Sequence, residues 1–221
     1  VSTRSAEGVA VVHGEDELVA RTGHLIAAAT DVAFAATTLH TWRAARRAGE
    51  ATGVVASEPP DGVRLRKIYL PNAALDPAAA RDLARFCESH GASIRITTDD
   101  INDTMLIDRR IAILGGDPRA GRRTYSVITQ PDVVAGVAAL FDAVWRNATD
   151  LSDFDAQVAE IRDIAPQVLD LLSRGVKDEA AARSLGLGVR TYRRRVAELM
   201  SALGAESRFQ AGVRARELGL V

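Results

Sequence analysis

The run Val189-Arg190-Thr191-Tyr192-Arg193-Arg194-Arg195-Val196-Ala197-Glu198-Leu199-Met200 has the period of a helix and two unlike faces. At 100° per residue, Tyr192, Val196, Leu199 and Leu203 fall on one stripe; Arg190, Arg194, Ala197 and Ser201 fall opposite, with Arg193 beside them. The first face can pack on other helices, and the second carries arginine forks with a small residue between them. A DNA major groove admits one helix, and arginine can pair bidentately with guanine O6 and N7. Ala197 would let the backbone approach the bases, while Thr191 and Arg195 at the flanks suit phosphate contacts. A solvated basic face on an ordinary bundle helix explains the same residues equally well.

Upstream, residues 177–184 read as a helix opened by Lys177, and Leu185-Gly186-Leu187-Gly188 as a tight turn, completing a helix-turn-helix pattern. With helices expected over 163–173 and 207–218, the last 60 or so residues form a small all-α module of four helices. Charge follows the same division. The chain has 221 residues and a formal net charge of -1, which by itself argues against a nucleic-acid partner. Yet residues 1–150 carry 17 basic and 19 acidic side chains, whereas residues 161–221 carry 11 and 7. Balanced charge therefore excludes only indiscriminate DNA coating. One cysteine rules out a disulfide scaffold, and no apolar run approaches the roughly 20 residues that span a bilayer. The chain start lacks the apolar stretch of a secretory signal, so a cytoplasmic location, at the nucleoid, is expected.

Before the all-α module, strands alternate with helices. Short strands are expected at 9–12, 31–38, 63–70, 92–97, 104–107, 110–114 and 122–129. Helices are expected after Glu15, over 39–48, from Asp76-Pro77 to His90-Gly91, and from Pro131 to Trp145. The fold class is therefore an α/β N-terminal domain, a mixed sheet with flanking helices, plus the four-helix C-terminal module. Periodicity breaks in the polar stretch 147–155. The expected domains are 1–150 and 161–221, with a linker at 151–160.

Three stretches carry a resemblance. Val168-Leu169-Asp170-Leu171-Leu172-Ser173-Arg174-Gly175, Glu179-Ala180-Ala181-Ala182-Arg183-Ser184-Leu185-Gly186-Leu187 and Arg190-Thr191-Tyr192-Arg193-Arg194 resemble the LuxR-type (GerE-like) DNA-binding domain. The closing 203–211 and 218–221 match its end as well. The resemblance implies double-stranded operator DNA as partner and a homodimer. It places base reading on Arg193, Arg194 and Ala197, and dimer contacts around Phe209, Val213 and Leu218. With Lys177, Arg190, Thr191 and Arg195, these complete the expected DNA-binding set. Two positions depart from the family pattern: Ala165 stands where a glutamate is usual, and Tyr192 where a small aliphatic is usual.

LuxR-type domains often follow a phosphoreceiver, but Ser57 occupies the phosphoacceptor position, and Lys67 and Lys177 are both misplaced for that chemistry. A better match is carried by Leu65-Arg66-Lys67-Ile68-Tyr69, 90–96, 105–114 and 140–145. In this order they resemble the phospholipase-D-like sensor domain of TrmB-type and actinobacterial LuxR-type regulators. The resemblance implies a degenerate fold that senses a small-molecule ligand or supports dimerisation. Related regulators often carry a winged-helix domain before the sensor. Active members use His-x-Lys-x4-Asp, the histidine attacking phosphorus. With the final Asp on Asp108, those catalytic positions hold Ile101 and Asp103, and an anionic Asp103 would repel phosphate. No catalytic residue and no cofactor is expected.

Other signals are thin. Asp99, Asp100, Asp103 and Asp108 could hold a cation, although Asp-rich turns between strands are common. His13, His24, His40 and His90 lack metal-ligand spacing. Cys87 lies on an apolar helix face, and Gly186-x-Gly188 lacks a nucleotide-loop context. His40, Trp42, Tyr69 and Trp145 could line a pocket, with core packing the simpler role. The alternatives to a DNA-binding regulator are a phospholipase-D-superfamily enzyme with altered chemistry and a protein–protein adaptor.

Overall fold

The computed structural model describes residues 8–37, 62–116 and 123–220. An eight-stranded mixed sheet is followed by an all-α bundle, the two-part architecture expected. The strands are β1 (Val9–His13), β2 (Asp31–Ala36), β3 (Arg64–Tyr69), β4 (Ser93–Ile96), β5 (Thr104–Ile107), β6 (Ile111–Gly115), β7 (Thr124–Ile128) and β8 (Thr149–Asp150). Their order is β1-β7-β6-β5-β2-β3-β4-β8; β2, β3 and β4 pair in parallel and every other pair is antiparallel.

Helices cover both faces. On one side α1 (Gly14–Ala27) and α3 (Pro77–His90) bury Leu18, Val19 and Phe86 against Leu65, Met105, Ile113 and Tyr125. On the other, α4 (Pro131–Asn147) buries Val134, Ala138 and Phe141 against Ala33, Ile68, Leu106 and Ala112. Local chemistry sets the ends of α3: the Asp76 side chain accepts from Ala79 N at 2.7 Å, Pro77 starts the helix, and Gly91 at φ 60 ends it. A further single turn, α2 (Asn72–Leu75), precedes it and buries Ala73, Ala74 and Leu75.

Two expectations change here. The alternation in 63–70 suggests a half-buried strand with its basic side chains in water. Arg64 is exposed, but Arg66 faces α4, 8% exposed, held by Asp142 at 3.1 Å and Asp31 at 3.3 Å. Its guanidinium lies over the Phe141 and Trp145 rings. With both faces covered, a basic residue in the middle of the sheet has to be buried and paired.

The polar stretch expected as a linker is instead β8 followed by α5 (Leu151–Val158), with Leu151, Phe154 and Val158 buried. Apolar side chains at i, i+3 and i+7 share one helix face. They join the sheet to the bundle in one continuous core that runs from Tyr69, Ile94 and Ile96 to Val168, Val196 and Leu199. Arg162 Nε also donates to the Ala74 carbonyl at 2.9 Å, and Asn72 Nδ2 to the Leu218 carbonyl at 3.0 Å.

The bundle comprises α6 (Ala165–Ser173), α7 (Asp178–Ser184), α8 (Val189–Ala202) and α9 (Arg208–Glu217), within two residues of the expected bounds at each end. The expected helix over 39–48, His40, Trp42 and the 54–61 stretch that imitates a receiver lie outside the described residues. No helix among the described residues is long and apolar enough to cross a membrane.

Candidate nucleic-acid interface

Helix α7, the turn at Gly186 (φ 65) and α8 form a helix-turn-helix unit. The turn is closed by Leu187 N donating to the Ala182 carbonyl at 2.8 Å. Tyr192, Val196, Leu199 and Leu203 are all at most 2% exposed, so the apolar stripe is the packing face. Arg190, Arg193, Arg194, Ala197 and Ser201 are exposed, and Thr191 is half-buried at the flank. Lys177 is exposed just before α7.

The unusual Tyr192 is fully buried, and its hydroxyl has no hydrogen-bond partner among the described residues. Burial pushes the phenol pKa up. Ala165, the other departure, is 2% exposed in the core, where a glutamate side chain would lose its water.

What the sequence reading missed is the carboxylate partner of nearly every arginine on this surface. Arg193 Nε donates to Asp178 at 2.6 Å and lies 3.9 Å from Glu179. Arg194 lies 3.5 Å from Glu198 and 3.9 Å from Glu160. Arg195, 14% exposed, is gripped between Glu160 at 2.7 Å and Glu198 at 2.9 Å. Arg190 alone of the four has no carboxylate partner among the described residues. Glu198 was legible, standing four residues after Arg194 and three after Arg195. Glu160, from the segment between α5 and α6, had no local signal.

Asp178 has a second partner. Arg208 pairs with it from the start of α9, and the two arginines hold its carboxyl down at about 2. If Arg193 turned toward another anion, Arg208 would still neutralise Asp178. Beside this pair opens a cleft of about 530 Å³ lined by Leu172, Val176 and Phe209. Phe209 is 83% and Val213 41% exposed, whereas Leu218 is half-buried against the shared core.

In the sheet domain Ile101 and Asp103, the two positions that the resemblance sets against catalytic groups, have structural roles. Ile101 packs against the core under α4. Asp103 is buried, paired with Arg123, and accepts from Thr37 N at 2.7 Å and Thr37 Oγ1 at 2.9 Å. Its charge is neutralised internally rather than turned against a phosphate. Asp108 sits at the other end of β5 in a turn with positive φ, accepting from Thr30 N and Asp31 N, both at 2.8 Å. These bonds hold its carboxyl below the usual range.

The four aspartates therefore do not gather, and no group of three or more His, Cys, Asp or Glu among the described residues could hold a metal ion. His90 ends α3, its ring 4.4 Å from Phe86. Cys87 is half-buried, its thiol pushed up by burial. Tyr69 is in the core, and Trp145 lies between Arg66 and Arg95.

No family model matches the chain. One curated relative does. The bialaphos biosynthetic pathway regulatory protein of Streptomyces hygroscopicus is 36% identical over 135 residues, which cover 61% of this chain and 53% of that protein. The chain thus spans about half the length of the curated relative it matches. Among solved structures, the archaeal chromatin protein TrmBL2 superposes with a TM-score of 0.45 at 16% identity, over 66% of this chain and 55% of that one. The phospholipase D family member Nuc from Salmonella typhimurium superposes with a TM-score of 0.46 at 14% identity, over 64% of this chain and 97% of that one. Both superpositions are too loose to assign a fold, which rests here on the strand order and the helical bundle themselves.

Proposed function

We propose that the chain is a DNA-binding transcription regulator of LuxR type whose α8 enters the major groove. The observation that carries this reading is the division of α8 into a fully buried apolar stripe and an exposed face of Arg190, Arg193, Arg194, Ala197 and Ser201. The regulatory name of the Streptomyces relative supports it. Arg193, Arg194 and Ala197 read base edges; Lys177, Arg190, Thr191 and Arg195 hold the backbone. Residues 161–221 act as the DNA-binding part and residues 1–150 as a non-catalytic sensor of a small molecule, with 151–160 joining them. The active form is a homodimer at the nucleoid of an actinobacterium, with Phe209, Val213 and Leu218 in contact across α9. Two modules then address half-sites about one helical turn apart.

The test is a gel shift on a duplex selected from a random pool. Arg193→Ala and Arg194→Ala are each expected to cost about 1–3 kcal/mol on that site and to relax its specificity. Unchanged affinity for both would remove α8 from the groove.

The carboxylates found beside the arginines set a second expectation. DNA must displace Glu160 from Arg195 and Arg194, so Glu160 acts as an internal competitor of DNA. Glu160→Gln should tighten binding to random-sequence duplex by about twofold to fivefold at low salt, the range of an exposed ion pair. The gain should vanish at high salt. A variant that binds no tighter in low salt would show that the contact does not compete.

A further inference from the structure

From Val133 to Phe141, helix α4 has no polar or charged side chain. A helix that is apolar all round belongs in an interior. Yet α4 is covered on one side only. Val134, Ala138 and Phe141 are buried against the sheet, whereas Leu140 is 71% and Val133 39% exposed. The uncovered side runs through exposed Asp132, Gly136, Ala139 and Arg146, with half-buried Ala143 between the last two, at alternating intervals of four and three. That spacing makes a nearly straight seam along a helix. A Cβ added at Gly136 would meet nothing within 4 Å.

We propose that this face is covered by α4 of a second copy of the chain, running antiparallel. Charge selects that occupant and that direction. The seam carries charge only at its two ends, Asp132 and Arg146, and neither has a partner among the described residues. The two positions are equidistant from Ala139. A two-fold axis at Ala139 therefore sets Asp132 of each copy against Arg146 of the other, at both ends of the seam. A parallel pair would oppose like charges. Between the ends, Gly136 of one copy falls near Ala143 of the other, allowing the axes to approach to about 8 Å. Val133 and Leu140, seven residues apart, close one flank of the seam.

From Asp132 to Arg146 the seam is about 21 Å long. One helix pair of that length falls short of the roughly 1,200 Å² typical of stable interfaces, so the dimer is weak and concentration-dependent. This surface is separate from α9, and the inference does not rest on DNA binding.

Sedimentation equilibrium of the full chain without DNA tests it. The wild type is expected to be in monomer–dimer equilibrium at sub-millimolar concentration. Leu140→Glu should weaken that equilibrium by about tenfold or more, because two carboxylates enter an apolar seam. Asp132→Arg should weaken it too, and Asp132→Arg with Arg146→Asp should restore it. All the substituted side chains are exposed, and an unchanged circular dichroism spectrum would certify folding. A wild type that stays monomeric, a dimer insensitive to Leu140→Glu, or failure of the charge swap to restore association would overturn the proposal.

Discussion

Replacing Phe154 with alanine is expected to lower stability by about 3–5 kcal/mol and to melt the sheet and the helical bundle in one transition. Phe154 is 4% exposed in the helix that the polar composition of 147–155 disguises as a linker. Its neighbours in the same core include Ile94 and Ile96 from the sheet and Val168 and Leu199 from the bundle. Losing an aromatic ring there removes transfer energy and leaves a cavity that two parts of the molecule share. A marginal stability of about 5–15 kcal/mol makes such a loss a large fraction of the total. Circular dichroism of the helices and tryptophan fluorescence should report coincident midpoints, both shifted down together. Two separated transitions, with only one shifted, would mean that bundle and sheet fold as independent units.

Ala197→Glu is the variant expected to damage DNA binding most. Ala197 is exposed at the centre of the arginine-bearing face of α8, and the proposed docking brings the helix axis nearest the bases there. A glutamate there adds bulk and a negative charge against the duplex, and like charges forced together across an interface cost several kcal/mol. Loss of binding should exceed about a hundredfold at moderate salt. Glutamate is a good helix former, and the buried stripe of Tyr192, Val196 and Leu199 is untouched, so the thermal midpoint should stay where it is. Fluorescence anisotropy with a labelled duplex, run beside a thermal melt, separates the two effects. Near-wild-type affinity would place the base-reading surface elsewhere.

The two variants mark what could and could not be read in the sequence. The faces of α8 were legible residue by residue, because a fourteen-residue helix repeats its apolar stripe four times. The hairpin of β5 and β6 and the capped ends of α3 were legible for the same local reasons. Short or non-local features were not. The four-residue α2, the two-residue β8 and the eight-residue α5 are too brief for periodicity to rise above composition. Arg66 looked like a solvent-facing strand residue because nothing near it in sequence announces α4, which supplies Asp142 from 76 residues away. Glu160 meets Arg195 only through the fold. The arginines of α8 could be placed on a face from the sequence, and Glu198 beside them, but Asp178 and Glu160, which reach them from other segments, could not.

The salt dependence of duplex binding bears most directly on the central claim. Binding of the full chain to the selected duplex should weaken linearly in log–log form as salt rises, with a slope of about −0.9 per phosphate contacted. Lys177→Ala and Arg195→Ala should each make that slope shallower by about one while leaving sequence preference alone. Arg194→Ala should change the preference. Absence of duplex binding at low salt, or binding whose slope none of these variants alters, would contradict a recognition helix built on α8.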